Sequence, residues 1–248
     1  MYRFFVEPSQ INMNDKSVII FGNDVNHIKN VLRMRTGGEI SVSNGADGKE
    51  YRCGIVSLEP DRVICEIRFV KEDDVELPSK VYLFQALPKA DKMEWIVQKA
   101  VELGVYQIIP VAAKRCVVKL DEKKARTKIV RWQEIAEAAA KQSRRGTLPQ
   151  VTEVLSFPRA VGKSSDMDVR LIPYEMAEGM EKTRRIIDGL RPGQSIAVFI
   201  GPEGGFEEAE VQEALSAGIE PVTLGKRILR TETAGMTVLS WIMYRMEK

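Results

Sequence analysis

The spacing of apolar and polar positions changes character a little after residue 70 of this 248-residue chain. Before that point the apolar residues fall in short runs: "RFFVE", "SVIIF", "EISVS", "EYRCGIVSL" and "RVICEIRFV". Turn-forming stretches such as "NGADG" and "EPD" separate them, so they read as strands. One stretch, "DVNHIKNVLRM", keeps a helical period, with Val25, Ile28, Val31 and Leu32 on one face. The pattern predicts a small β-barrel with a helical lid over residues 1–72. The charged run "KEDDVELPSK", residues 71–80 with Pro78, reads as a linker.

Beyond it the strand-like runs "VYLFQAL", "YQIIPV", "VRLIP", "IAVFI" and "PVTLG" are apolar on both faces, as in a buried parallel sheet. Helical stretches lie between them. "DKMEWIVQKAVELG" offers Asp91 as N-cap, Glu94 three residues on and Gly104 as terminator, with Met93, Ile96, Val97, Ala100 and Leu103 as its stripe. A longer helix over 121–146 turns Ala125, Ile129, Trp132, Ala136 and Ala139 inward. The prediction is an α/β domain over 73–248. Its last helix, "TAGMTVLSWIMYRM", is apolar around nearly its whole circumference, which predicts burial on two sides and a homodimer through this helix.

Composition narrows the chemistry. Apolar residues make up 44% and charged residues 29% of the chain, as expected of a soluble globular protein. No apolar run is long enough for a membrane span, and "MYRFFVEPSQ" lacks the features of a signal peptide. Cys53, Cys65 and Cys116 form no metal-binding spacing and suit a reducing cytoplasm. With His27 as the one histidine, multi-histidine catalysis and a histidine-rich metal site are excluded. The net charge is only +2, yet Lys114–Arg145 holds eleven lysines and arginines against four acidic residues. A positive segment on a near-neutral chain predicts a polyanion partner, with a solvated helix face as the plainer alternative.

The stretch "IAVFIGPEGGFEEAE" runs from a strand through a glycine turn into an acidic helix start. It matches neither the P-loop, since no lysine follows Gly204–Gly205, nor the dinucleotide fingerprint. Glu203 would repel a phosphate. The turn therefore suits a neutral or cationic ligand that uses backbone groups, with glycines allowing close approach. A second irregular stretch, "TLGKRILRTETAG", follows the next strand, and "VRLIPYE" supplies a third loop. Such loops converge at the carboxyl ends of strands in open α/β sheets. Together they could surround a nucleoside, and the carboxylate would tolerate a sulfonium.

At these residues the sequence resembles the RsmE-type 16S ribosomal RNA (uracil-N3) methyltransferases of the SPOUT superfamily. "FIGPEGGFEEAE" and "LGKRILRTETA" carry the resemblance, and "MYRFF", "HIKNVLRMR", "KADKMEWIVQKAVELGV" and "RWQEIAEAAAKQSRRGTLPQV" agree in order along the chain. The resemblance implies a PUA-like RNA-binding barrel, then an α/β methyltransferase domain with a deep trefoil knot. It implies S-adenosylmethionine as methyl donor, a homodimer, and methylation of one uridine of small-subunit ribosomal RNA at N3.

On that basis Ile172, Pro173, Gly201, Glu203, Gly204, Leu224, Gly225, Ile228, Leu229, Thr233 and Ala234 are expected to hold the donor. Arg230 is the expected electrostatic partner of the uracil as N3 ionises, and Glu203 and Glu232 are candidate bases. For RNA the expected contacts are Arg3, Lys29, Arg33, Arg35, Lys114, Arg115, Arg144 and Arg145. Trp95 and His27 are expected to pack, with RNA stacking or contact as their minority roles. The rivals are a non-catalytic RNA-binding protein of ribosome assembly and an α/β enzyme acting on another nucleoside; donor-binding calorimetry separates them.

Overall fold

The computed structural model describes residues 1–72, 74–175, 177 and 179–247. It divides into two compact units, Met1–Glu76 with Ala140–Leu148, and Leu77–Ala139 with Pro149–Lys248. A single cut of the chain after residue 72 does not provide for the segment 140–148 in the first unit.

In the first unit the strands are β1 (Tyr2–Phe5), β2 (Ile11–Asn12), β3 (Ser17–Phe21), β4 (Glu39–Ser43), β5 (Lys49–Leu58) and β6 (Arg62–Glu72), in the order β1-β4-β5-β6-β3-β2. Period-two alternation sends Phe4, Val18, Ile20, Ile40, Val42 and Val63 into one core. Among the described residues no ladder joins β1 to β2, so the strands of the expected β-barrel form one six-stranded sheet whose two edges are not paired with each other. The lid is α1 (Asn23–Asn26), extended by a wide turn over His27–Val31 in which the Leu32 N–H donates to the His27 carbonyl at 2.8 Å. The wide turn shifts the helical phase. Val25 and Ile28 stay buried, whereas Val31, expected inside, is 63% exposed. His27 packs edge-on against Phe4, ring centroids 6.1 Å apart.

The segment 140–148 is sewn onto this unit by polar contacts. Arg3 Nη1 donates to the Arg144 carbonyl at 2.6 Å, and Ser43 Oγ to the Gly146 carbonyl at 2.7 Å. Glu76 takes the Arg145 guanidinium and the N–H groups of Gly146 and Thr147 at 2.9 and 3.1 Å. The stretch 71–80 is thus more than the expected linker: Lys71 and Glu72 belong to β6, and Glu76 is an anchor. Its residue 73 lies outside the described residues.

The second unit is built on β7 (Lys80–Ala86), β8 (Gln107–Ala112), β9 (Gln150–Val151), β10 (Leu155–Ser156), β11 (Val169–Pro173), β12 (Ser195–Ile200) and β13 (Glu220–Val222). All are parallel, in the order β10-β8-β7-β12-β11-β13, with β9 beside β8. The central strands are buried on both faces, as the unbroken apolar runs require, and Phe84 stacks on Phe199 with centroids 4.4 Å apart. The helices are α2 (Lys92–Glu102), α3 (Glu122–Gln142), α4 (Phe157–Lys163), α5 (Met180–Asp188), α6 (Glu208–Ser216) and α7 (Thr231–Met246).

Gly104 ends the α2 segment at φ +85, as its position after the helix suggests. The expected Asp91–Glu94 capping box does not form. The side chain of Asp91 makes no cap hydrogen bond, and Glu94 pairs instead with Arg131 at 3.3 Å. In α7 one face, Gly235, Val238, Leu239, Ile242 and Met246, is buried. The other keeps Met236, Trp241 and Met243 half-buried and leaves Tyr244 83% exposed.

Candidate functional site

The order of the strands places the ends of β11, β12 and β13 side by side, and the loops leaving them enclose a cavity of about 590 Å³. The wall from β11 is Pro173, Tyr174 and Glu175; that from β12 is Ile200 through Phe206; that from β13 runs from Thr223 to Thr231 and on to Ala234. The two glycine-containing stretches, separated by a helix and a strand in sequence, meet in this one cavity.

Each loop has a local reason for its shape. The Gly205 N–H donates to the Pro202 carbonyl at 2.9 Å, closing a tight turn in which Gly205 adopts φ +68. A Cβ at Gly201 would lie 3.3 Å from the Phe206 ring, which packs on Phe157. Glu207 and Glu210 close a capping box on α6. Thr231, at the first turn of α7, ties the stretches together: its hydroxyl donates to the Gly201 carbonyl at 2.6 Å and accepts from the fully buried Gln85 Nε2 at 3.0 Å.

Charge is arranged around Glu203. Lys92 Nζ lies 3.0 Å from its carboxylate and 3.2 Å from that of Glu232, so one ammonium bridges the turn and α7. The Lys89 N–H donates to Glu203 as well, at 3.1 Å. Burial pushes the Glu203 carboxyl up, but its own backbone N–H, the Lys92 ammonium and the Lys89 N–H outweigh that and hold it below the usual carboxylate range. Lys92 is held above the usual lysine value, first by Glu203 and against desolvation. Glu203 is therefore a poor proton acceptor, and the charge expected to greet a sulfonium is shared with Lys92. Arg115 Nη1 donates to the Gly204 carbonyl at 3.0 Å, and Arg115, Lys226, Arg227 and Arg230 line the same cavity.

Among the residues expected at a donor site, Pro173, Gly201, Glu203, Gly204, Leu224, Gly225, Ile228, Leu229 and Ala234 line the cavity, as does Arg230. Ile172 and Thr233 do not. Ile172 is fully buried within β11, because successive strand residues point to opposite faces, and Thr233 lies on the exposed side of α7. Glu232 reaches the site only through Lys92. Lys92, Thr231, Gln85, Tyr174 and Glu175 were missed. Lys92 and Gln85 sit far upstream in sequence, on elements that read as ordinary helix and strand.

The residues expected to touch RNA divide. Arg33, Arg35, Lys114, Arg115 and Arg144 are exposed, and Lys29 is half-buried with its ammonium on the Glu59 carbonyl at 2.6 Å. Arg3 and Arg145 are corrected: at 7% and 4% exposure they are buried, paired with Glu50 at 3.0 Å and with Glu76. Their charge holds the first unit together. Trp95 is 44% exposed beside its helix's buried stripe.

The cavity fits a nucleoside-sized ligand, since pockets for small ligands and cofactors run to roughly 300–1,000 Å³. Gly201, Gly204 and Gly225 line it, and without a Cβ they let a ligand come close to the backbone.

Comparisons with known proteins match two family models in turn along the chain, the methyltransferase match running through the segment 140–148 that folds with the first unit. A model of the RNA methyltransferase domain matches residues 75–243, and a model of the RNA methyltransferase PUA domain matches residues 22–68. Ribosomal RNA small subunit methyltransferase E of Bacillus subtilis is 40% identical over 251 residues, covering 100% of this chain and 98% of the relative. The enzyme of the same name from Mesomycoplasma hyopneumoniae is 34% identical, covering 97% and 98%. The crystal structure of a ribosomal RNA small subunit methyltransferase E from Neisseria gonorrhoeae bound to S-adenosyl methionine superimposes with a TM-score of 0.85 at 35% identity, covering 98% and 97%.

Proposed function

The chain belongs to the RNA methyltransferase family that includes ribosomal RNA small subunit methyltransferase E, and from that premise we propose that it methylates N3 of one uridine in 16S ribosomal RNA. It is an S-adenosylmethionine-dependent enzyme acting on ribosomal RNA of the small subunit. The observation that carries the reading is the convergence of three strand-end loops on one cavity with backbone-rich walls.

Bound there, S-adenosylmethionine supplies an electrophilic methyl group. The protein's part is positioning and charge. Gly201, Gly204 and Gly225, without side chains on the cavity wall, let the donor approach the backbone, and the Thr231–Gly201 bond fixes the spacing of the two loops. Among the described residues Arg230 forms no ion pair, so its guanidinium, on the cavity wall, is open to a uracil oxygen as N3 loses its proton. Glu203 is held ionised and committed to Lys92. That favours Glu232, which meets the same ammonium at the longer distance of 3.2 Å, as the closer candidate for proton acceptor.

The finer features follow from the same reading. The meeting of the 201–206 and 223–231 loops in one cavity supports a knotted methyltransferase domain. The half-buried apolar face of α7 supports a homodimer through that helix. Exposed Arg33, Arg35, Lys114, Arg115 and Arg144 support RNA contact, and three free, buried cysteines suit the cytoplasm.

The experiment is calorimetry with S-adenosylmethionine and its demethylated product, followed by methyl incorporation into small ribosomal subunits and mapping of the modified base. Heat with either compound and a 3-methyluridine in 16S RNA are expected. Folded protein that binds neither compound ends the methyltransferase reading, and RNA binding without donor binding would favour the non-catalytic alternative.

A further inference from the structure

The face of the first unit's sheet opposite its apolar core carries a cluster that the enzyme's chemistry does not use. Strand register sets Arg3, Ser41, Arg52 and Phe69 in one row across β1, β4, β5 and β6, with Glu50 opposite Lys71 in the next row. Glu50 is 3% exposed, yet it gathers three cations: Arg3 at 3.0 Å, Arg52 at 2.5 Å and Lys71 at 3.1 Å, with the Ser41 hydroxyl at 2.7 Å. Farther along, Arg68 pairs with Glu39 and lies flat over Gly54, where an added Cβ would sit 2.8 Å from its guanidinium. With Glu66, which the register sets beside Gly54 in the row of Glu39, four cations face three carboxylates, leaving an excess of one positive charge. In the middle stands the Phe69 ring, 56% exposed.

A lone exposed phenylalanine is ordinary. One set in register beside an arginine, between cations held in place by a buried carboxylate, is a different object. Its ring offers a stacking surface, and the excess charge suits phosphates on either side. A protein partner of acidic character would use the charge but has no special need of the ring's open face. We propose that this face, centred on Phe69, binds an unpaired segment of ribosomal RNA, with a base stacked on the ring and phosphates against Arg52, Arg68 and Lys71. The proposal rests on the RNA-methyltransferase reading and places part of substrate recognition away from the helix-side residues Lys29, Arg33 and Arg35.

The test uses full-length protein, small ribosomal subunits and labelled S-adenosylmethionine. Methyl incorporation by the unaltered protein tests the functional reading by itself; its absence would sink that reading and this proposal with it. Given incorporation, Phe69→Ala and Phe69→Leu are expected to raise KM for the subunit about tenfold with little change in kcat, because base stacking on an aromatic ring is worth that much. Lys71→Met should lower the slope of log affinity against log salt by about one. Donor affinity by calorimetry and the melting temperature of the Phe69 variants should stay at wild-type values, as should the KM of Phe21→Ala, an exposed aromatic elsewhere on the unit. A photo-crosslinking phenylalanine analogue at position 69 is expected to capture 16S RNA. Unchanged KM in both Phe69 variants, or crosslinks to a ribosomal protein alone, would overturn the proposal.

Discussion

The Thr231 hydroxyl and the Gly201 carbonyl lie 2.6 Å apart, joining the first turn of α7 to the end of β12. Thr231 is 4% exposed, and its oxygen also accepts from Gln85, so water cannot readily replace the bond. Thr231→Val keeps the shape and removes both partnerships. A stability loss of about 1–3 kcal/mol is expected from the orphaned buried groups. Donor affinity should fall with it, since the loops lose their fixed spacing. Thermal denaturation and calorimetry read the two effects, and Thr231→Ser should restore both. Wild-type affinity in the valine variant would show that the loops are held by packing alone.

Lys92 faces two carboxylates with one ammonium, at 3.0 and 3.2 Å. The Glu203 carboxyl is held low in the folded protein, so it stays ionised as pH falls to its depressed value. Lys92→Met removes one of the groups that hold it down, and its pKa must rise. S-adenosylmethionine affinity is expected to be flat with pH in the unaltered protein across mildly acidic to neutral values. In the methionine variant it should weaken as pH is lowered. The neutral demethylated product should show no such slope in either protein, which separates charge from misfolding.

Arg230 is exposed on the cavity wall, and its carbonyl accepts the Ala234 N–H at 2.8 Å. Truncation to alanine leaves that backbone bond intact. If the guanidinium meets charge that develops only during transfer, Arg230→Ala lowers kcat about 10²-fold with donor Kd nearly unchanged. An equal loss in both would assign Arg230 to donor binding. Single-turnover methylation and calorimetry on the same preparation distinguish the outcomes.

How far the sequence anticipated this depends on the range of each contact. The parallel strands were legible because burial on both faces leaves unbroken apolar runs, as in "IAVFI", which falls within β12. The glycine stretches were legible because φ > 0 and close approach leave few residue choices, as at Gly205 and Gly225. Partnerships across the chain were not. Nothing local marks Lys92 as the companion of Glu203, or Arg145 as a buried charge where an RNA contact was expected. The phase shift that exposes Val31 was equally hidden, since one wide turn defeats an ideal helical period. Two-residue strands such as β9 and β10 are too short for any periodicity.

Glu50 and Glu76 make the first unit sensitive to acid. Burial pushes both carboxyls up. For Glu50 the Ser41 hydroxyl and the Lys71, Arg3 and Arg52 cations outweigh it; for Glu76 the Arg145 guanidinium and Thr147 do. Both end below the ordinary value, so each contributes stability that is present above the unfolded-state pKa of about 4.3 and disappears as pH falls through the lower folded-state pKa. The melting temperature should be level above about pH 5 and drop steeply below about pH 4. Glu76→Gln removes the charge that Glu76 sets against buried Arg145, and a loss of about 3 kcal/mol at neutral pH is expected. Because one fewer depressed carboxyl then titrates, the acid limb of that variant should be shallower than in the unaltered protein. A limb of unchanged slope would show that Glu76 ionises alike in the folded and unfolded chains, and that the contacts of Arg145 and the 146–147 backbone do not depend on its charge.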